Sequence, residues 1–114
     1  MSEEQTNTIE LNIKEAKKII AKGNSLERLF SNKDFKKVIL EQYLESEAIR
    51  LVHLKADPNM QDEDSQKTIL QQMDGIGCLR SFFRNVQHQK MLAEKAIEED
   101  ERTLDEMRNE GADE

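Results

Sequence analysis

The sequence predicts an all-α protein in which a short N-terminal helix, a central helix and one long C-terminal helix form a helical hairpin or bundle. Apolar side chains recur at steps of three and four residues from Ile69 to Met107, as expected for a narrow stripe along one α-helix. Charged residues make up 36% of the chain, and one Pro and four Gly leave few turns. No sustained alternating run predicts a strand.

The first part of the chain predicts a disordered start followed by a short helix. Residues 1–7 are polar and should be disordered. A helix over about 8–22 should follow, and Gly23 should end it because glycine accepts the left-handed geometry that follows many helices. A further apolar turn is expected over about 25–30. The apolar face of the first helix comprises Ile9, Ile13, Ala16 and Ile20.

The central helix is predicted over about 32–55. Ser31 suits the N-cap position, and Asp34 suits the first turn. Pro58 should stop the chain from continuing as a helix, because the residue before a proline is pushed out of helical geometry. The apolar face of this helix is wider than one stripe, which indicates contact with two neighbours. It comprises Phe35, Val38, Ile39, Leu40, Tyr43, Leu44, Ala48, Leu51, Val52 and Leu54.

The final helix is predicted over about 62–109, with residues 111–114 as a disordered tail. At 1.5 Å per residue it could reach roughly 65–70 Å, too long for the shorter helices to cover completely. Gly75 and Gly77 lie inside it, and each costs about 1 kcal/mol relative to Ala. A kink and the close approach of another backbone are alternative explanations, and we favour close packing because Ile76 stays in register.

The stripe on the final helix predicts an interface, because a narrow apolar stripe needs another helix to cover it. Lys90 and Asp100 interrupt the stripe, and polar residues at such positions lower stability but can fix the register and the number of partners. We expect the protein to be a homo-oligomer. The predicted interface residues are Ile76, Leu79, Phe83, Val86, Ile97, Leu104 and Met107.

The net charge of −7 is unevenly distributed. Residues 94–114 hold ten acidic residues against three basic ones. This acidic end argues against direct nucleic-acid binding, which needs a basic face. A single cysteine, Cys78, favours a reducing compartment, and no apolar run is long enough to cross a bilayer. We expect a cytoplasmic location or a place in a virion, and no membrane partner.

No group of residues predicts catalysis, and we expect no catalytic, cofactor-binding or metal-binding residues and no cofactor. His53 and His88 have no ligand-type residue at a recognised metal-binding spacing, and Cys78 has no local signature of a nucleophile. A small basic cluster precedes and opens the central helix, where contact with an anion and simple solvation are both open. It comprises Arg28, Lys33, Lys36 and Lys37.

Three stretches, Leu26–Phe35, Tyr43–Val52 and Ala56–Pro58, resemble a group of small acidic helical proteins encoded by tailed bacteriophages. The resemblance covers roughly residues 26–108. It implies a phage-encoded protein that acts in the host cytoplasm or in the virion. It implies no activity and no site residues, since none is assigned to that group.

Three functional hypotheses follow from these observations. The first is a non-enzymatic helical assembly protein that acts by helix–helix association, used in building a phage particle. The second is a small acidic inhibitor or adaptor that binds a host protein such as a polymerase, nuclease or defence enzyme through residues 94–110. The third is a ligand-binding sponge with sites between copies.

Overall fold

The computed structural model describes residues 2–112, and within that range it contains helices and short connections but no strand. The predicted all-α class is therefore confirmed, as is the long C-terminal helix. The elements in order are helix α1 (Glu3–Ser31), helix α2 (Lys33–Phe35), a π-helix (Lys36–Glu47), helix α3 (Ala48–Ala56), a 3₁₀ turn (Pro58–Met60) and helix α4 (Glu63–Ala112).

The chain forms two compact units. The terminal unit consists of Met1–Ser25 together with Val86–Glu114, and the central unit consists of Leu26–Asn85. Each unit contains a part of α1 and a part of α4.

In the terminal unit, the N-terminal part of α1 pairs with the C-terminal part of α4 in antiparallel orientation. Gly23 approaches Lys90, whereas Thr6 lines a shallow cavity with Leu104 and Met107. The residues buried between the two helices are Ala16, Val86, Ala93 and Leu104. Both helices therefore present apolar stripes with steps of three and four residues, and each stripe covers the other.

Helix α1 is longer than the sequence predicts. Residues 3–7, expected to be disordered, form its first turns because the Ser2 hydroxyl accepts a hydrogen bond from the Gln5 backbone N–H at 3.2 Å. The predicted end at Gly23 is wrong, and so is the separate turn over 25–30, since one helix continues to Ser31. No glycine in the described residues has positive φ, so Gly23 serves close packing here and not helix termination.

The central unit contains an unusually long π-helix, in which backbone hydrogen bonds join residues five apart instead of four. Residues spaced four or five apart therefore share its inner face. If the chain after Phe35 were an ordinary α-helix, the polar side chain of Gln42, seven residues later, would share the face of Phe35 and point inward. The wide apolar face predicted for the central helix reflects this longer period. Val38 and Val52, both predicted to be buried on that face, are 52% and 56% exposed. The residues that follow the longer spacing are Phe35, Leu40, Leu44 and Ala48.

The core of the central unit lies between the π-helix and α3 on one side and α4 on the other. Its buried residues are Leu44, Leu51, Ile69 and Ile76. The two sides run antiparallel, because the Gln66 side-chain N–H donates to the Lys55 carbonyl at 3.0 Å and the Arg80 guanidinium donates to the Leu44 carbonyl at 3.0 Å. Each large apolar side chain fully buried here contributes about 1.5–3 kcal/mol.

The connection to α4 follows the sequence prediction closely. The central helix ends before Pro58, which begins a 3₁₀ turn. Asp62 then caps α4, since its carboxylate accepts a hydrogen bond from the Ser65 backbone N–H at 2.9 Å. Helix α4 continues through Gly111 to Ala112, a few residues beyond the predicted end. Met1 and residues 113–114, predicted to be disordered, lie outside the described residues.

Candidate interaction surfaces

The seven predicted interface residues are buried or half-buried within the single chain. Three of them belong to the central unit and four to the terminal unit. The chain's own helices cover the stripe, so a second copy is not needed to cover it. The expected oligomer stays a prediction, and any surface that serves it must lie elsewhere. The residues are Ile76, Leu79 and Phe83 in the central unit, and Val86, Ile97, Leu104 and Met107 in the terminal unit.

Phe83 shows how this coverage is achieved. Its ring lies 5.3 Å from the Phe30 ring in an edge-on arrangement and 6.1 Å from the Phe35 ring. Such edge-on pairs contribute about 0.5–1.5 kcal/mol beyond their buried area. Phe83 is therefore a residue of the central-unit core, contributed by α4 and enclosed by residues from α1 and α2.

The favoured explanation for the two α4 glycines is wrong. A Cβ atom added at Gly77 would meet nothing within 4 Å, and one at Gly75 would meet only the Tyr43 hydroxyl, at 3.5 Å. No other backbone among the described residues therefore approaches either glycine closely. The close approach occurs at Gly23, where an added Cβ would lie 2.7 Å from the Lys90 Cβ.

Ten large apolar side chains remain exposed among the described residues after the stripe is covered. Four of them, in the terminal unit, are Leu11, Ile19, Met91 and Leu92. The other six, in the central unit, are Leu29, Val38, Ile49, Val52, Leu70 and Phe82. An exposed apolar residue is ordinary by itself, and only a contiguous group indicates binding.

Ile49, Val52 and Leu70 are exposed on one side of the central unit and are here named the 49/52/70 patch. Ile49 and Val52 lie three residues apart on α3 and therefore share a face. Val52 and Leu70 each follow a core residue, Leu51 and Ile69, by one position. In an antiparallel pair of helices that step turns both side chains toward the same side of the unit. The exposed fractions are 60% for Ile49, 56% for Val52 and 45% for Leu70.

Charged residues border the 49/52/70 patch in a segregated order. Lys67 lies three residues before Leu70 and Asp74 four residues after it, so both share its face of α4. On the facing helix, Lys55 lies near the Lys67 end, because its carbonyl accepts the hydrogen bond from Gln66. Glu45 lies toward the Asp74 end, since Tyr43 approaches Gly75. Two lysines therefore stand at one end of the patch, with Glu63 one turn beyond Lys67 on the same face, and two carboxylates stand at the other end.

The acidic part of α4 forms a second exposed surface, in the terminal unit. Ion pairs within the helix join Glu94 to Lys90 at 3.6 Å and Glu98 to Arg102 at 3.7 Å. Asp105 pairs with Arg108 at 3.6 Å. The remaining acidic residues of 94–111 form no ion pair among the described residues. They are Glu99, Asp100, Glu101, Glu106 and Glu110.

Local hydrogen bonds shift the pKa values of Glu47, Arg50 and Asp62. Hydrogen bonds from Arg50, whose Nε lies 3.0 and 3.1 Å from the two Glu47 carboxylate oxygens, lower the pKa of Glu47 and raise the pKa of Arg50. Hydrogen bonds from the hydroxyl and the backbone N–H of Ser65 lower the pKa of Asp62. Both effects stabilise helices and assemble no reactive site.

His53, His88 and Cys78 are exposed on their helices. Within residues 2–112, no three His, Cys, Asp or Glu side chains are grouped as a metal site would require. No helix in that range is both long enough and apolar enough to cross a membrane. Comparison with protein-family models, with curated proteins and with solved structures finds no match to this chain.

Proposed function

We propose that this protein is a non-enzymatic helical interaction protein that binds a protein partner through exposed apolar side chains of its helices. The observation that carries the proposal is the 49/52/70 patch. Its three side chains are large, apolar and exposed on one side of the unit, although buried core residues immediately precede Val52 and Leu70 on their helices. Exposed apolar groups with polar borders are typical of protein-binding surfaces. The resemblance to phage proteins leaves virion assembly and action on a host protein both open as the setting of this role.

Site-specific photocrosslinking tests the proposal directly. A benzophenone amino acid at position 70 would replace an exposed side chain of the patch. The same amino acid at position 68 gives a matched control, because Thr68 is also exposed and flanks Ile69 on the opposite side of α4. In cells that produce the protein, we expect a discrete covalent adduct from position 70 and none from position 68. Equal crosslinking from both positions, or none from either, would contradict the proposal.

A second candidate function is an acidic inhibitor or adaptor, and the acidic part of α4 favours it. Glu99 and Glu106 lie seven residues apart and therefore share one face of the helix. Neither forms an ion pair among the described residues, so both carboxylates are available to a basic partner surface. Truncation near residue 93 would test this poorly, because it would uncover the facing stripe of α1.

Charge-neutralising variants give a cleaner test of the acidic surface. Glu99→Gln combined with Glu106→Gln removes two exposed charges and keeps the helix surface nearly the same shape. We expect a partner bound through this face to dissociate as salt is raised from about 0.1 M to 0.5 M, because screening weakens exposed charge pairs. The double variant should bind it more weakly at low salt. A partner that is insensitive to both changes does not use this surface.

A further inference from the structure

We propose that the partner of the 49/52/70 patch is a second copy of this chain, docked in antiparallel orientation about a two-fold axis through the centre of the patch. This inference rests on the proposed function, because it names the partner of the same surface. All the residues of the proposed interface lie in the central unit.

Apolar side chains form the centre of the proposed interface. A two-fold axis perpendicular to the helices places the patch of one copy against the patch of the other. Ile49, Val52 and Leu70 of both copies then exclude water from one another. The surface is small for a permanent interface, so we expect an association at the weak end of the range, with a dissociation constant of roughly tens of micromolar.

Oppositely charged side chains lie at the two ends of the patch. Lys55 and Lys67 stand at one end, and Glu45 and Asp74 stand at the other; all four residues are exposed. None of the four side chains forms an ion pair within residues 2–112. The same two-fold rotation brings the basic end of each copy onto the acidic end of the other.

The order of charges along the patch favours an antiparallel dimer over a parallel one. A parallel arrangement would place like charges against each other at both ends, and such contacts oppose association. A partner of unrelated sequence would have no reason to match a surface whose two halves already complement each other. Self-complementarity of this kind is what an isologous interface requires.

Sedimentation velocity on the purified full chain tests the inference, over about 5–500 µM protein at about 0.05 and 0.5 M salt. We expect a concentration-dependent shift from the monomer toward the dimer, stronger at the lower salt concentration. Val52→Glu should weaken dimerisation at least about tenfold, because it places two unpaired charges in the apolar centre. Thr68→Glu, on the opposite side of α4, should leave it unchanged.

A charge exchange tests the two-fold geometry itself. Lys67→Glu alone and Asp74→Lys alone should each weaken the dimer several-fold, because each places like charges at both ends of the interface. The double variant Lys67→Glu/Asp74→Lys should restore it to near the wild-type value. All these positions are exposed, so circular dichroism should show folded chains.

Three outcomes would overturn the inference: a wild-type monomer across the whole concentration range, equal weakening by Val52→Glu and Thr68→Glu, or no recovery in the double exchange. The crosslinking result tests the proposed function separately from the dimer. If the chain is monomeric but the crosslinker at position 70 still captures a different protein, the second copy is wrong and the patch remains a binding surface. If position 70 yields no adduct, both fail.

Discussion

Replacing Gly23 by alanine tests the close approach of the two helices in the terminal unit. The added Cβ would lie 2.7 Å from both Cβ and Cδ of Lys90 and 2.9 Å from its Cγ. Carbon atoms pack best at about 3.5–4.0 Å, so the overlap is about 1 Å. The Lys90 Cδ can rotate away, but its Cβ is fixed to the backbone, and one helix must therefore move.

Two opposing effects set the size of this change. Overpacking in a tight contact costs about 1–3 kcal/mol, whereas alanine in place of glycine inside a helix gains about 1 kcal/mol. We expect Gly23→Ala to lower the free energy of unfolding by about 1 kcal/mol, measured by urea denaturation with far-UV circular dichroism. Gly77→Ala is the matched control, because a Cβ there meets open space. It should raise the free energy of unfolding by about 1 kcal/mol.

A second substitution locates the clash on Lys90. In a Lys90→Gly background the space is restored, so Gly23→Ala should become stabilising. In a Lys90→Ala background the Cβ remains, and Gly23→Ala should still destabilise. A double-mutant cycle in each background expresses the effect as an interaction energy between positions 23 and 90. If Gly23→Ala stabilises the wild type as much as Gly77→Ala does, the two helices do not approach each other closely at Gly23.

Three further predictions concern the central unit and the start of α4. Leu51→Ala should lower the free energy of unfolding by about 3 kcal/mol, since Leu51 is 0% exposed. Val52→Ala, at an exposed position, should change it by less than about 0.5 kcal/mol. Equal effects of the two substitutions in urea denaturation would contradict the described core. Arg80→Met keeps the apolar stem but removes the hydrogen bond to the π-helix carbonyl, and should cost about 1–2 kcal/mol in the same assay. Asp62 has a lowered pKa in the folded state, so its stabilising effect is present above the ordinary carboxyl pKa of about 3.9 and is lost as the pH falls through the lower folded value. The melting temperature of Asp62→Ala should therefore lie below that of wild type at pH 7 and converge with it in acid, whereas a constant difference would exclude a charge-dependent cap.

The stripe on α4 could be predicted from sequence because it depends on spacing alone. The steps of three and four residues require one covered face, whichever helix provides the cover. Spacing does not say which chain the covering helix belongs to. The apolar residues of α1 carry a matching stripe that continues past the predicted end of that helix. Had Gly23 been placed in this stripe, α1 would have been long enough to cover the middle of α4, where Phe30 packs against Phe83.

The structure differs most from the sequence prediction at Gly23 and in the π-helix, and both differences have physical causes. Gly23 resembles a helix end by local criteria, but tertiary packing keeps the helix continuous where a small residue fits against Lys90. The π-helix left a signal in the sequence, because apolar residues recur there at steps of four and five. Read with the period of an α-helix, those steps appear as one broad face that includes Val38. The 49/52/70 patch could not be predicted, since only a known core distinguishes Val52 from Leu51.

The π-helix makes the central unit more sensitive to length than to composition. A conservative replacement inside Lys36–Glu47 alters one contact and leaves the others in place. Deleting one residue from that segment would let the backbone tighten toward the ordinary helical winding, and every side chain downstream would be rotated out of phase with the rest of the molecule. Natural variants of this chain should therefore exchange amino acids within that stretch far more readily than they gain or lose one.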